Sequence, residues 1–291
     1  MNVKKDNIKI HKVDNNNYAV EFDLLKSVED IRHILASAMR TKLLLTLHDS
    51  KKRLGELRKE LGKPSATILH GLRELETLKL VKKEDKHYCL SSNGFLLALN
   101  MVKLIENLYS INTNFKFWRN HKIGDIPTDF LKNTHALKKS KCIFSDDTDL
   151  TKPLIKYLEM ISKSTVLKIL LPIFSKTHLD GILKNLNRKK SILEIVTTKS
   201  ILNSIKSNEY GELLINCSKD NTIKIWLIED EVEIFLSCCD NFLALSLFFE
   251  DDYYDDSSIL VDESKEGILW GSELFEYYKE QGHLVDISKQ F

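Results

Sequence analysis

"SATILHGLRELETLKLVKKEDKHYCL", residues 65–90, opens as a helix and closes as two short strands. Ile68, Leu72 and Leu75 recur at spacings that hold one side of a helix at ~100° per residue. With Ile68 facing inward, Ala66, His70 and Arg73 fall on the far side, flanked by Thr67 and Leu69. Apolar and lysine-rich runs then predict strands around residues 80–83 and 87–90, with Glu84 and Asp85 near the tip. Just upstream, "RLGELRKELG" aligns Leu54, Leu57 and Leu61 on one side and stops at Gly62. Lys63-Pro64 makes the turn, because proline disfavours helix at the residue before it. Two helices joined by so short a turn form a helix-turn-helix, and the hairpin behind them makes it a winged helix.

The same reading extends upstream. "LLKSVEDIRHILASAMRTKLLLTLHDS" predicts two helices broken near Ala36-Ser37, the second ending at Leu47. Before that, "NIKIHKVDNNNYAVEF" alternates around three asparagines, so residues 1–22 read as a small hairpin or a free arm.

Charge separates this segment from the rest. Residues 37–90 carry 13 Lys and Arg against 7 Asp and Glu, a local +6 in a 291-residue chain of net charge +1. A ridge of this kind faces polyanions; the remainder, at −5, does not. Small and hydrogen-bonding residues on the outward side of the helix suit a major groove, whereas bulky apolar ones would not. Ser65, Thr67, His70 and Arg73 are therefore the candidate contacts to double-stranded DNA, with Lys82, Lys83 and Lys86 set on the wing for backbone phosphates. Glu74 also lies on the outer half of the helix and counts against that reading.

Beyond the wing, "FLLALNMVKLIENLYSINTNF" places Leu97, Met101, Leu104, Leu108 and Ile111 at alternating steps of four and three. That is a coiled-coil-like dimerisation seam, which packing onto the chain's own winged domain would also explain. Trp118, His121, Pro127 and Phe130 form an aromatic and proline corner expected to pin the second domain to this helix. From Cys142 onward apolar strands alternate with amphipathic helices, the pattern of an α/β sheet covered on both faces. "TIKIWLIEDEVEIFLSC" predicts an antiparallel hairpin with Glu229-Asp230 in the turn, making the sheet mixed.

Other features point to no chemistry. The five cysteines include no CxxC pair and suit a reducing cytoplasm. Cys238 and Cys239 are neighbours, so on a strand they face opposite sides. "EDDYYDD" (residues 250–256) reads as a solvated acidic loop, and "LNRKKS" (residues 186–191) as a basic loop near which a phosphate could sit. No phosphate-cradling glycine loop, nucleophile elbow or HExxH is present. No run approaches the ~20 uninterrupted apolar residues of a membrane span.

Residues 35–94, above all "TILHGLRELETLKLV", resemble the arsenic-repressor-like winged-helix transcription regulators, particularly archaeal ones. "FWRNHKIGDIPTDFL" (residues 117–131) resembles the opening of the second domain in archaeal regulators of the methanogenesis-regulatory-protein type, and "LWGSELFEYYKEQGHLV" (residues 269–285) its closing helix. The resemblance implies a cytoplasmic, dimeric regulator whose second domain senses a small molecule. The thiolate pair of arsenic-type metal sensors is absent, since the only nearby cysteine is Cys89 in a wing strand. The second domain is also similar to phospholipase-D-like sheets, but their HxKxxxxD signature is missing.

The expectation is an α+β chain: an extension over 1–22, a winged helix-turn-helix over 23–94, a connecting helix over 95–120, and an α/β sensing domain over 121–291. Its function is expected to be sequence-specific transcription regulation, without catalytic or metal-binding residues or a cofactor. A non-catalytic partner-binding or architectural winged-helix protein is the alternative, and an enzyme with an accessory winged domain the next.

Overall fold

Ser37 sets the register of the first unit: its hydroxyl accepts from the Arg40 N–H and caps α2 (Ala38–Asp49). This computed structural model describes residues 28–188, 190–208, 210–219 and 222–286, so the expected extension over 1–22 lies outside them. The chain divides into two units, Met1–Ile105 and Glu106–Phe291.

In the first unit, helix α1 (residues 28–35) precedes α2, and β1 (Lys52–Arg53) leads into α3 (Leu54–Leu61). Gly62 ends α3 at φ +61°, a left-handed cap that glycine adopts without strain. Then come α4 (Ser65–Thr77), β2 (Val81–Glu84), β3 (His87–Leu90) and the start of α5 (Ser92–Thr113). Leu43, Leu44, Leu57, Ile68, Leu72 and Leu75 are wholly buried together, and Met101 of α5 joins them. The hairpin turns at Asp85 (φ +53°), and β1 adds a third strand to it in the order β1-β3-β2.

The start of α5 is clamped to the wing. Ser91 Oγ donates to Lys79 O at 2.7 Å and accepts from the Gly94 N–H at 3.0 Å. A Cβ on Gly94 would lie 1.9 Å from the Leu80 carbonyl oxygen, a backbone atom that cannot swing aside. Gly94→Ala is expected to cost about 1–3 kcal/mol, read as a lower urea midpoint at unchanged slope. An unchanged midpoint would show that the clamp yields freely.

The second unit is built on eight strands in the order β11-β7-β6-β5-β8-β9-β10-β4. After α6 (Phe115–Asn120), α7 (Thr128–Leu131) and a 3-10 turn (Thr134–Leu137) comes β4 (Lys141–Phe144). Next are α8 (Lys152–Ile161), β5 (Val166–Leu171), α9 (Lys176–Leu186), β6 (Ile192–Thr198), α10 (Lys199–Ser207), α11 (Tyr210–Ser218) and β7 (Thr222–Ile228). β8 (Ile234–Cys239), β9 (Leu243–Leu247), β10 (Ser258–Asp262), α12 (Lys265–Lys279) and β11 (His283–Val285) complete it. β5, β6 and β7 run parallel and the other pairings are antiparallel. One face, including Ile169 and Leu193, packs under α8–α11; the other, including Leu170 and Val196, packs against Phe117, Trp270, Leu274 and Phe275.

Two expectations change here. The strands of "TIKIWLIEDEVEIFLSC" are not a hairpin: β7 pairs with β6 and β11, while β8 pairs with β5 and β9. Three strand spacings of ~4.8 Å separate β7 from β8, a distance that residues 229–233 can bridge along one end of the sheet. The true hairpin is β8–β9. The acidic stretch 250–256 is also not wholly solvated, because Asp255 is buried and bonded to His121.

Cys238 and Cys239 do face opposite ways: Cys239 joins the α8–α11 side, and Cys238 Sγ lies 3.1 Å from Ile268 O of α12. Burial pushes the Cys238 thiol up to about 12 and raises that of Cys239 as well, so neither is a ready nucleophile.

Among the described residues one helix, Ser92–Thr113, is long and apolar enough to cross a membrane by length and composition. Ala98 and Met101 of that helix are nonetheless buried in protein.

Candidate nucleic-acid interface

The helix α4 is anchored by Ile68, Gly71, Leu72 and Leu75, all buried. That anchoring turns Ala66, Thr67, His70 and Arg73 outward, where all four are exposed; Ser65, in the first turn, is half-buried. Pro64 precedes the helix and its side chain cannot cap. The first-turn N–H groups are thus left without a side-chain cap, an arrangement that suits a phosphate oxygen.

Glu74, the one acid that argued against this face, is engaged from behind. Arg40 of α2 is 7% exposed and its guanidinium lies 2.8 Å from the Glu74 carboxylate, while also donating to His33 O. The hydrogen bond from Arg40 outweighs desolvation and lowers the Glu74 carboxyl below its usual range. His70 Nε2 stands 3.7 Å from the same carboxylate.

On the wing, Lys82, Lys83 and Lys86 are exposed but not equivalent. Lys82 pairs with Glu84 at 2.8 Å, and Lys83 sits 5.6 Å over the Tyr88 ring. Lys86 has no ion-pair partner among the described residues. Sequence reasoning passed over three further cations. Lys63 is exposed in the turn before α4, and Lys79 is exposed just after it with φ +57°. Arg53 of β1 donates from Nε to His87 Nε2 at 3.1 Å, which adds a guanidinium beside the wing. Lys63 and Lys79 were visible as flanking cations; Arg53 was not, because it reaches the wing only through the β1–β3 pairing.

The expected dimerisation residues divide. Met101 is buried in the first unit's core and Leu97 packs partly against it. Leu104 and Leu108 are exposed, together with Ile105 and Tyr109, and Ile111 is half-buried. Helix α1 adds exposed Val28, Ile31 and Leu35 at helical spacing. Among the described residues no cluster of three or more His, Cys, Asp or Glu is placed to hold a metal ion.

Comparison with known families places both units. The description "Methanogenesis regulatory protein FilR1, N-terminal domain" matches residues 28–109, and "Methanogenesis regulatory protein FilR1, middle domain" matches residues 150–281. The chain belongs to this family. FilR1 of Methanothrix harundinacea (strain 6Ac) is 24% identical over 265 residues, which is 89% of this chain. The chain spans 58% of the length of that relative. Among solved structures, TrmBL2, an archaeal chromatin protein with a described mode of DNA binding, aligns at a TM-score of 0.38 and 16% identity, covering 81% of this chain and 88% of its own. Nuc, a phospholipase D family member from Salmonella typhimurium, aligns at a TM-score of 0.39 and 10% identity, over 50% of this chain and 97% of its own. Both structural likenesses are distant.

Proposed function

We propose that this FilR1-family chain is a sequence-specific DNA-binding transcription regulator that acts as a dimer and answers to a small molecule held by its second unit. One observation carries the DNA reading: α4 presents Thr67, His70 and Arg73 outward while Arg40 holds the neighbouring acid Glu74 at 2.8 Å. Arg73 is the residue best placed to read a base edge, and Ser65, Thr67 and the free first-turn amides to hold the backbone. Leu104 and Leu108, apolar and exposed on α5, support pairing of two copies, and a two-fold pair fits half-sites about one duplex turn apart. The effector acts by binding one of two states of the dimer more tightly.

The test is binding to an operator selected from random duplex. Arg73→Ala should cost about 1–3 kcal/mol on the selected site and much less on random DNA. An equal loss on both would reassign Arg73 to the backbone, and failure to enrich any site would end the sequence-specific reading.

The wing is tested by salt dependence. Replacing Lys83 and Lys86 together by alanine should flatten the log K against log salt slope by ~0.9 per lost phosphate contact. Adding Lys82→Ala should change it less, because Lys82 must first leave Glu84. A slope unmoved by all three would remove the wing from the interface.

A further inference from the structure

Beside the sheet of the second unit lies a cavity of about 260 Å³, below the ~300–1,000 Å³ of drug-sized sites. It sits beyond the carboxyl end of β5, where the chain leaves the sheet for α9, the usual place for a ligand on a sheet with parallel strands. Leu154, Ile173 and Ile259 supply apolar wall, while Ser175, Ser246 and Tyr254 bring hydroxyls to it.

His178 is the telling group. Its ring is packed between Tyr157 and Phe235, with centroids at 5.0 Å from each, and only 9% of the residue is exposed. Nδ1 lies 2.8 Å from Ser175 Oγ, yet Nε2 has no hydrogen-bond partner among the described residues, and the side chain lines the cavity. Desolvation pushes His178 down to about 4, so the imidazole is neutral near pH 7. Opening on the cavity that His178 lines, Nε2 offers a ligand hydroxyl a hydrogen-bond partner.

The charges around the cavity select the ligand. No lysine or arginine lines it, and its one formal charge is Asp256. The first turns of α8 and α9 both border it, and neither N-cap side chain caps a backbone N–H of its helix. Each such end presents roughly half a positive charge, so the two together about balance Asp256. An anion would meet Asp256 without a cationic partner, and a cation would meet two helix N-termini. The surroundings match a neutral molecule rich in hydroxyl or carbonyl oxygen.

Resting on the proposal that the second unit senses a small molecule, we infer that this cavity is the effector site and that it takes an uncharged, hydroxylated compound of about sugar size. Tyr254 and Asp256 line it on either side of Asp255, which bonds His121 just beyond α6. An occupant therefore bears directly on the loop that holds the buried His121–Asp255 hydrogen bond.

The experiment uses the full chain and saturation-transfer NMR with D-ribose, D-glucose and myo-inositol, beside ribose 5-phosphate, gluconate and glucosamine as charged counterparts. At about 10 mM, a millimolar Kd registers. The expected result is binding by at least one uncharged probe, weakened about tenfold by His178→Phe, which keeps the ring packing, and abolished by Leu154→Trp, which fills the cavity. The inference is overturned if only charged probes bind, if none binds, or if both substitutions leave binding unchanged. Operator affinity with and without the bound probe separates this from the underlying reading: binding that is sensitive to the substitutions but leaves DNA affinity unmoved keeps the site and refutes sensing. An effect on DNA affinity that persists in Leu154→Trp refutes the site and keeps sensing.

Discussion

Asp255→Ala is expected to remove about 3–5 kcal/mol of stability from the second unit, the largest loss anticipated for a single side chain in this protein. Asp255 is 3% exposed and His121 5%. His121 Nε2 lies 2.9 Å from Asp255 Oδ2, and its Nδ1 lies 2.6 Å from Phe117 O. The carboxylate also accepts from the Ser257 N–H and the hydroxyls of Ser257 and Ser258. Truncation strands the buried His121 imidazole and Ser258 hydroxyl, each of which forfeits its desolvation cost, while the exposed Ser257 can turn to water. Burial pushes the Asp255 carboxyl up, but the bonds from His121, Ser257 and Ser258 outweigh it and hold the group at about 2. A carboxyl held below its unfolded value near 3.9 contributes stability in full above that pH. The contribution fades as pH falls through 3.9 toward 2, so wild type should lose stability over that window and Asp255→Ala should not lose this part of it. Urea denaturation of the full chain at pH 7 and across pH 5–2.5 reads both. A loss under about 1 kcal/mol at neutral pH would mean that the pair is a passenger.

That pair was not legible in the sequence, and the reason is general. Asp255 sits in a run of acids and tyrosines whose composition says solvent, and its partner lies 134 residues away. The helix α4 was legible because its information is local: Ile68, Leu72 and Leu75, chosen by spacing alone, are all fully buried. The wing strands fall at Val81–Glu84 and His87–Leu90, within a residue of the expectation, because the hairpin is closed by its own turn. Strand neighbours in the second unit are another matter. Periodicity finds β7 and β8, but whether a short loop joins adjacent strands or skips two is decided by which other strands enter between them. The seam along α5 fails in a subtler way. Its spacing is regular, yet Met101 is buried in the unit's own core while Leu104 and Leu108 stand exposed, and one repeat cannot say where cover ends.

The proposed DNA-facing surface carries the second large effect, because its charge depends on Arg40, which lies behind α4. Arg40→Leu should cost about 2–3 kcal/mol of stability, less than a fully buried pair, since the Glu74 side chain keeps 29% exposure. Its effect on DNA should exceed what lost stability explains. Freed from Arg40, Glu74 presents an uncompensated carboxylate beside His70 on the outer half of α4. A carboxylate roughly 8 Å from a phosphate costs about 2 kcal/mol at an effective dielectric near 20, before salt screening. Operator affinity at low salt should therefore fall about tenfold or more, and by less at physiological salt, under conditions where the variant remains folded. Glu74→Gln in the same background should restore most of the affinity while leaving the stability defect. Glu74→Gln alone should bind DNA at least as well as wild type. If the double substitution binds as poorly as Arg40→Leu, the loss comes from a shifted α4 rather than from exposed charge, and the electrostatic role of Arg40 is wrong.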